Sequence, residues 1–322
     1  MQNILVTGGA GFIGSHLIDR LLAEGHSVVC FDNFDNFYNP IMKWGNVTHH
    51  AKNKSFKLVS GLVNDMRSFK KAFSNGLNAV VHLAAQAGVR PSMQNPVLHS
   101  EVNVSGTINM LELCRTYGIK KVVFASSSSV YGNHDTVPFQ EDANVDKPLC
   151  PYAASKKAGE LICYTYHHLY GMDISCIRPF TVYGSRQRLE MAIPLFTRLI
   201  FEGKPLTIYG EGNTKRDYTH VSDVVDGIMR ILYVNAGYQI YNLGTGEVTM
   251  LNHLIQMISE HLGKRTMPDL HYEPRGIGEA IITHANIEKA KRMLGYSPKM
   301  KIYDGLKEYV DWFLEEVRKN AI

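Results

Sequence analysis

The sequence predicts an α/β protein in which helices cover both faces of a parallel sheet, the doubly wound arrangement, followed by a smaller α/β lobe. Two observations predict this fold. Short apolar runs alternate with helix-length segments in the first half of the chain, and the runs are apolar throughout, as strands buried on both faces are. The 322 residues, 45% of them hydrophobic, are enough for one large core or two smaller ones.

The predicted elements follow in order along the chain. Strands are predicted at 3–7, 28–31, 56–59, 79–83, 122–125 and 174–177, and helices at 13–23, 97–117 and 153–170. Residues 33–53 interrupt this alternation with a polar, aromatic-rich insertion, to which we assign no element. Beyond residue 178 we predict helices at 193–202, 222–234, 251–262 and 305–318, and strands at 206–209 and 240–243.

Proline and glycine punctuate the second half of the chain, which is typical of a loop-rich lobe. We therefore expect one domain to comprise residues 1–178 and 216–246. A second, smaller domain would comprise residues 179–215 and 247–322.

Composition excludes several classes of partner. The 34 basic and 30 acidic residues are mixed along the chain, without the basic stripe that nucleic acid or an anionic membrane would require. No apolar run approaches the ~18 residues of a membrane span, and "MQNILVTGGAGFIG" is interpreted as a first strand and turn rather than a signal peptide. Five widely spaced cysteines without a CxxC motif predict reduced thiols, a cytoplasmic location and no metal site.

A glycine-rich turn directly follows the first predicted strand. "VTGGAGFIG" places Gly8, Gly11 and Gly14 where a helix begins, and such a turn lets a diphosphate approach the free N–H groups of the helix N-terminus. A tight turn without a ligand is the alternative. Asp32 ends the second strand 18 residues after Gly14, the distance expected of a carboxylate on an adenine ribose. This carboxylate would repel a 2′-phosphate and favours NAD over NADP.

Tyr152 and Lys156 form the candidate catalytic pair. They lie four residues apart in "YAASK" at the start of a predicted helix, so both side chains share one face. A nearby ammonium favours the phenolate of a tyrosine, whose free pKa is ~10, and so makes it a proton-transfer group. The alternative is an ordinary pair on a helix surface.

The chain resembles the extended short-chain dehydrogenase/reductase family, specifically its nucleotide-sugar epimerases. The resemblance rests on "GGAGFIG", "LAAQAG", "SSSSVYG", "YAASK" and "RDYTHVSDV" in this order, and it covers essentially the whole chain. It implies a Rossmann domain, NAD as cofactor, a UDP-sugar as substrate, and a homodimer formed through the helices at 97–117 and 153–170.

The resemblance also implies roles for individual residues. Ser127 would join Tyr152 and Lys156 in catalysis. The cofactor-binding residues implied or predicted are Gly8, Gly11, Phe12, Ile13, Gly14, Asp32, Asn33, Val63, Leu83, Ala84, Ala85, Asn103, Tyr152 and Lys156. The substrate-binding residues are Arg90, Ser128, Thr181, Arg188, Thr207, Arg216 and Arg275. Family members usually carry Asp where this chain has Leu62, so the adenine contact is expected to differ.

Two serines indicate which reaction follows oxidation of the sugar. Sugar 4,6-dehydratases of this family carry an Asp-Glu pair where this chain has Ser128 and Ser129, and the decarboxylases carry Glu at the second position. Dehydration needs a positioned general acid and base, which lone hydroxyls do not supply. The sequence therefore favours epimerisation at C4, in which Tyr152 removes the proton of the 4-hydroxyl and the transient 4-keto sugar is reduced on its other face.

"RPFTVYGSRQRLEMA" resembles the UDP-glucuronate 4-epimerases, in which the matching Thr181 and Arg188 would meet the sugar carboxylate. We therefore expect conversion of UDP-glucuronate to UDP-galacturonate. The alternatives are a UDP-glucose or UDP-N-acetylglucosamine 4-epimerase, a UDP-glucuronate decarboxylase, and a non-catalytic NAD-sensing module.

Overall fold

The computed structural model describes residues 1–274 and 280–320. Its strands are β1 (Asn3–Thr7), β2 (Ser27–Asp32), β3 (Phe56–Ser60), β4 (Ala79–His82), β5 (Lys121–Ala125), β6 (Asp173–Pro179), β7 (Thr181–Tyr183), β8 (Leu206–Tyr209), β9 (Lys215–Arg216), β10 (Tyr218–His220), β11 (Tyr238–Leu243), β12 (Thr249–Met250), β13 (Leu270–Glu273) and β14 (Ile282–Thr283). Its helices are α1 (Phe12–Ala23), α2 (Pro40–Thr48), α3 (Met66–Phe69), α4 (Val89–Gln94), α5 (Pro96–Ser100), α6 (Gly106–Thr116), α7 (Pro151–Tyr170), α8 (Ala192–Phe201), α9 (Val221–Leu232), α10 (Leu251–His261), α11 (Glu288–Leu294) and α12 (Ile302–Asn320).

A seven-stranded parallel sheet forms the centre, in the order β11-β6-β5-β4-β1-β2-β3. This confirms the predicted fold class. The order reverses between β1 and β4, and the carboxyl ends of strands at such a switch point leave a crevice in which ligands bind. None of the described helices combines the length and the apolar character needed to cross a bilayer.

Every strand and helix predicted from the sequence is present, with ends shifted by a few residues. The predicted helix at 97–117 is interrupted by a π-helical turn, Glu101–Ser105, between α5 and α6. The insertion at 33–53 contains α2, which begins with Pro40 in its first turn and with the Asn39 side chain accepting a hydrogen bond from the Ile41 N–H. The Asn-Pro signal for the start of a helix was present in the sequence, but the segment is too polar to show the hydrophobic periodicity of a helix.

Hydrophobic cores lie on both faces of the sheet. One contains Leu17 of α1 and Val224 of α9, and the other contains Leu111 of α6 and Cys163 of α7. A separate core in the second lobe joins α8, α10 and α12. Helix α11 packs on the first core through Ala290 and Leu294, although it follows the second lobe in the sequence.

A buried ion pair joins α7 to β6. Arg178 donates two hydrogen bonds of 2.8 Å to the two carboxylate oxygens of Glu160, and the Ser126 hydroxyl donates a third bond of 2.6 Å to the same carboxylate. Arg178 is 1% exposed and Glu160 is fully buried. Since an ionised group out of water needs a partner, this pair fixes the serine segment after β5 against the helix that carries Tyr152.

We predict that Arg178→Met lowers the free energy of unfolding by about 3–5 kcal/mol, because the buried Glu160 carboxylate loses both guanidinium hydrogen bonds and is left with the more distant Lys157 ammonium, at 3.8 Å, as its countercharge. Urea unfolding followed by circular dichroism measures this loss. The matched control is Arg20→Met, which removes the partner of Glu24 from a solvent-exposed pair and should cost less than about 1 kcal/mol. Equal losses in the two variants would contradict the role of the buried pair.

Candidate active site

A cleft of about 760 Å³ opens at the carboxyl ends of the central strands and continues to the second lobe. It brings together nearly all of the catalytic, cofactor-binding and substrate-binding residues predicted from the sequence. Those lining it are Gly8, Gly11, Phe12, Ile13, Gly14, Asp32, Asn33, Val63, Leu83, Ala84, Ala85, Arg90, Ser127, Ser128, Tyr152, Lys156, Thr181, Arg188, Thr207 and Arg216. Asn103 is buried and acts on the cleft through other residues, and Arg275 lies outside the described residues.

The glycine-rich turn is packed so closely against the surrounding backbone that side chains would not fit at Gly8 and Gly14. Gly8 has φ +66°, and a Cβ placed on it would lie 2.8 Å from the amide nitrogen of Ala84. A Cβ on Gly14 would lie 2.2 Å from the carbonyl oxygen of Gly8. Helix α1 begins at Phe12 with no side-chain cap, so N–H groups of its first turn face the cleft at the positive end of the helix dipole. These features fit a dinucleotide diphosphate.

Asp32 is buried at the end of β2. Its carboxylate accepts hydrogen bonds from the N–H groups of Phe34 at 2.9 Å and Ala10 at 3.1 Å. Burial raises the pKa of Asp32 above its ordinary value, although these two N–H groups and the Lys43 ammonium act in the opposite direction. Each carboxylate oxygen can accept a second hydrogen bond, so Asp32 keeps acceptor capacity for ribose hydroxyls.

The insertion contributes residues to the cleft that the sequence reasoning missed. Phe37, Tyr38 and Lys43 line the cleft beside Asp32. The Lys43 ammonium is buried and donates to the Asp35 carbonyl oxygen at 2.7 Å. The sequence signal that could have identified these cleft residues was the clustering of aromatic residues and a lysine in a segment to which no element was assigned.

Asn103 ties the loop after β4 to helix α7. Its side chain donates to the Gln86 carbonyl oxygen at 3.0 Å and to the Ser155 hydroxyl at 2.9 Å, and it accepts from the Gln86 N–H at 2.8 Å. Asn103 lies in the π-helical turn, a local irregularity frequent at functional sites. It therefore positions residues that line the cleft.

Ser127 and Tyr152 both line the cleft, and the Ser127 hydroxyl acts on the pKa of the tyrosine. The Ser127 hydroxyl also donates to the Ser129 hydroxyl at 3.1 Å and accepts from the Ser129 N–H at 3.1 Å. Burial raises the pKa of Tyr152, while the hydrogen bond from Ser127 and the charge of Arg188 lower it. The four-serine segment is therefore the end of a strand followed by a 3₁₀ turn, and its Ser127 hydroxyl acts on the pKa of Tyr152.

Lys156 lies close to Tyr152 and is held by a backbone carbonyl group at the end of β5. Its ammonium donates to the Ala125 carbonyl oxygen at 2.7 Å and lies 6.0 Å from the centre of the Tyr152 ring. Burial lowers the pKa of Lys156 to about 8. The lysine is therefore held by the end of β5, and the charge of Arg188 acts to lower the pKa of Tyr152 as well.

Arg188 lies at the end of the cleft formed by the segment after β7. Its guanidinium pairs with Glu190 at 3.2 Å and lies 5.1 Å from the centre of the Phe37 ring. Glu190 is half exposed, so a ligand carboxylate can exchange with it at modest cost. Thr181 lines the same cleft. A cation and a hydroxyl are thus available for an anionic sugar substituent.

The remaining nominated arginines connect the two lobes. The Arg90 guanidinium lies 4.2 Å from the centre of the Tyr209 ring, which joins α4 to β8 across the cleft. Arg216 donates to the carbonyl oxygens of Ala280 at 2.6 Å and Ile281 at 3.0 Å. Thr207 lies on β8. All three residues line the cleft.

Comparison with known proteins extends these observations. Residues 5–309 match the family described as GDP-mannose 4,6 dehydratase. The chain belongs to this family, which is part of the extended short-chain dehydrogenases/reductases. A UDP-glucuronate 4-epimerase from Thermodesulfobacterium geofontis is 41% identical to it over 320 residues, which is 98% of each protein.

Comparison with two solved structures shows that the fold alone does not distinguish an epimerase from a dehydratase. The UDP-glucuronic acid 4-epimerase from Bacillus cereus, in complex with UDP-glucuronic acid and NAD, has a TM-score of 0.91 and 33% identity over 98% of this chain and 100% of that chain. A dTDP-glucose 4,6-dehydratase from Streptomyces venezuelae has a TM-score of 0.92 and 30% identity over 99% and 98%. The fold is shared by both reactions, so residues in the cleft must distinguish them.

We predict that Gly14→Ala abolishes retention of a dinucleotide and lowers the melting temperature, because the added Cβ would collide with the Gly8 carbonyl and open the turn. Nucleotide released from the denatured protein, quantified per chain, measures retention. The control is Gly45→Ala in α2, where nothing lies within 4 Å and alanine suits the helix better. Full retention of the dinucleotide by Gly14→Ala would contradict the role of the turn.

Proposed function

We propose that this protein is an NAD-dependent 4-epimerase that interconverts UDP-glucuronate and UDP-galacturonate. The observation that carries the proposal is one continuous cleft lined by Tyr152, Ser127 and Arg188, with no carboxylate at positions 128 and 129. Curated relatives with the same activity, and the substrate and cofactor bound by the Bacillus cereus structure, support it.

The residues of this chain fit NAD. The glycine-rich turn and the first turn of α1 would hold the diphosphate, and Asp32 would accept from the adenine ribose. Lys156 of α7, whose ammonium is held at the end of β5, would orient the other ribose. When bound, NAD supplies a reversible acceptor for the hydride on C4 of the sugar.

Tyr152 would move the proton. It takes the proton of the sugar 4-hydroxyl as the C4 hydride leaves, and it returns this proton to the oxygen when the hydride comes back to the opposite face of the 4-keto ring. Ser127 holds the sugar oxygen and the tyrosine hydroxyl together. Because burial raises the pKa of Tyr152, the positive charges near it are needed to make its phenolate accessible at neutral pH.

Arg188 and Thr181 would fix the sugar carboxylate. The 4-keto form of a glucuronide is a β-keto acid, which loses CO₂ when the bond to the carboxylate aligns with the carbonyl π system. A charge-assisted hydrogen bond from Arg188 contributes roughly 1.5–3 kcal/mol and restrains this rotation. The same contact thus serves recognition and suppresses decarboxylation.

The test is product analysis by NMR after incubation of the purified protein with UDP-glucuronate. We expect UDP-galacturonate and no pentose product. A UDP-pentose with release of CO₂ would indicate a decarboxylase instead. Turnover of UDP-glucose or UDP-N-acetylglucosamine, but not of UDP-glucuronate, would show that the substrate is a neutral UDP-sugar. The absence of turnover on every nucleotide sugar would favour the NAD-sensing module.

We predict that Tyr152→Phe lowers kcat by about 10²–10⁴-fold or more, because the ring stays in place but the group that exchanges the proton is lost. A coupled assay of UDP-galacturonate formation measures the rate. Tyr303→Phe removes a hydroxyl from a half-exposed tyrosine of the second lobe and should keep the full rate. A Tyr152→Phe protein with a near-normal rate would contradict the assignment.

We predict that Arg188→Met raises KM for UDP-glucuronate by roughly 10- to 150-fold, the equivalent of one charge-assisted hydrogen bond. NMR should also detect a pentose side product, because the carboxylate is less restrained. Arg265→Met, at an exposed arginine of the second lobe, should change neither quantity. Equal KM values for native protein and Arg188→Met would show that another group binds the carboxylate.

We also propose a homodimer formed through α6 and α7. These helices expose large apolar side chains: Ile108 of α6, and Leu161, Tyr164 and Leu169 of α7.

Two further proposals concern the whole chain. The Rossmann domain would comprise 1–178 and 216–246, and the nucleotide-sugar domain 179–215 and 247–322, with α11 of the latter packing on the core of the former. Five buried free thiols support a cytoplasmic location.

We predict that Leu161→Asp converts a dimer to a monomer, because it places a charge among the exposed apolar side chains of α7 that the proposed interface buries. Sedimentation-velocity ultracentrifugation distinguishes the two species. Tyr233→Asp changes another exposed residue, outside α6 and α7, and should leave the dimer intact. A native protein that sediments as a monomer at micromolar concentration would refute the dimer.

A further inference from the structure

A cluster of metal-binding side chains lies where the insertion at 33–53 meets helix α1. Asp19 of α1 and the adjacent His49 and His50 have candidate ligand atoms within 4.8 Å of one another. The Asp19 Oδ1 atom is 2.6 Å from His50 Nε2 and 3.2 Å from His49 Nε2. Neither histidine lines the candidate active-site cleft.

Adjacent residues of a helix point apart, which would separate these two histidines if α2 continued through them. Helix α2, however, ends at Thr48. His49 and His50 follow it in a turn, and their ring centres are only 3.9 Å apart. The end of α2 therefore turns both rings toward the same carboxylate.

A second contact orients that carboxylate. Arg186 Nη1 bonds the other oxygen of Asp19, Oδ2, at 2.7 Å, which leaves Oδ1 directed at the imidazoles. Arg186 has φ +63°, a left-handed conformation that residues other than glycine rarely adopt, so the surrounding contacts hold it against local strain. Carboxylate ligands of metals are commonly fixed by such an outer hydrogen bond.

Two imidazoles and one carboxylate form a donor set that suits Zn²⁺ better than Mg²⁺ or Ca²⁺, which take oxygen ligands. Ligand atoms around tetrahedral zinc stand roughly 3.3 Å apart, so the cluster needs movements on the order of 1 Å to close on an ion. His49 is 48% exposed and Asp19 is 31% exposed, which leaves room for water as a fourth ligand.

We propose that Asp19, His49 and His50 form a Zn²⁺ site that ties the insertion to helix α1. The insertion lines the cleft through Phe37, Tyr38 and Lys43, and Trp44 of α2 stacks on Phe34 with ring centres 3.7 Å apart. Through Arg186, Asp19 also contacts the segment that carries Arg188. A metal here would stabilise the two segments that border the cleft without entering it.

Isothermal titration of the tag-free, full-length protein with ZnCl₂ tests the site. We expect one Zn²⁺ per chain with micromolar or tighter affinity, and MgCl₂ should give no binding at the same concentration. His49→Ala/His50→Ala should weaken Zn²⁺ binding at least tenfold. The control His253→Ala/His271→Ala removes two exposed imidazoles of the second lobe and should bind Zn²⁺ as the native protein does.

Thermal unfolding gives an independent readout, because an ion that binds only the folded state raises the melting temperature as its concentration rises. We expect this rise in the native protein and not in His49→Ala/His50→Ala. If the double variant does not fold, the single variant His49→Ala, which changes a half-exposed side chain, replaces it in both measurements. Zn²⁺ binding that is unchanged by these substitutions, equal binding of Mg²⁺, or no binding to the native protein would overturn the proposal.

Discussion

The buried pair between Glu160 and Arg178 is the constraint on which the geometry of the site depends. Glu160 lies two helical turns after Tyr152 and about one turn after Lys156, and Arg178 lies at the end of β6, just before the segment that leads to Thr181. Ser126 donates to the same carboxylate, next to Ser127. One ion pair thus sets the positions of the serine segment, the catalytic helix and the strand that leads into the sugar site. Its value lies more in fixing this geometry than in net stability, since burying two charges consumes much of their mutual attraction.

The electrostatics of the cleft follow from burial. Desolvation raises the pKa of Tyr152 and lowers that of Lys156, so both residues are pushed toward their neutral forms. A proton acceptor in this environment needs a cation close by, and the charge of Arg188 acts in that direction on the pKa of Tyr152. The residue proposed to bind the substrate carboxylate therefore also influences the residue proposed to exchange the proton. Binding of a hexuronate would change the environment of both.

Much of the fold and of the site could be predicted because the signals are local. The glycines of the first turn are spaced for one strand-to-helix connection, and the Tyr152–Lys156 pair is spaced for one helical turn. The π-helical turn at Asn103 and the helix in the insertion were missed, since neither follows from hydrophobic periodicity. The partner of Lys156 could not be predicted either. It is the carbonyl oxygen of Ala125, 31 residues away, and only the packing of α7 on β5 brings them together.

The sequence by itself determined the parallel sheet, the dinucleotide-binding turn, the Tyr-Lys pair and the absence of carboxylates at Ser128 and Ser129. These features depend on residue type and on short spacings that the backbone converts directly into geometry. The tertiary structure decided that Arg188 acts on Tyr152, that Lys156 is held by β5, and that His49 and His50 converge on Asp19. Those relations depend on burial and on contacts between distant segments. Desolvation and charge interactions are set by the three-dimensional surroundings of a group, which no local pattern contains.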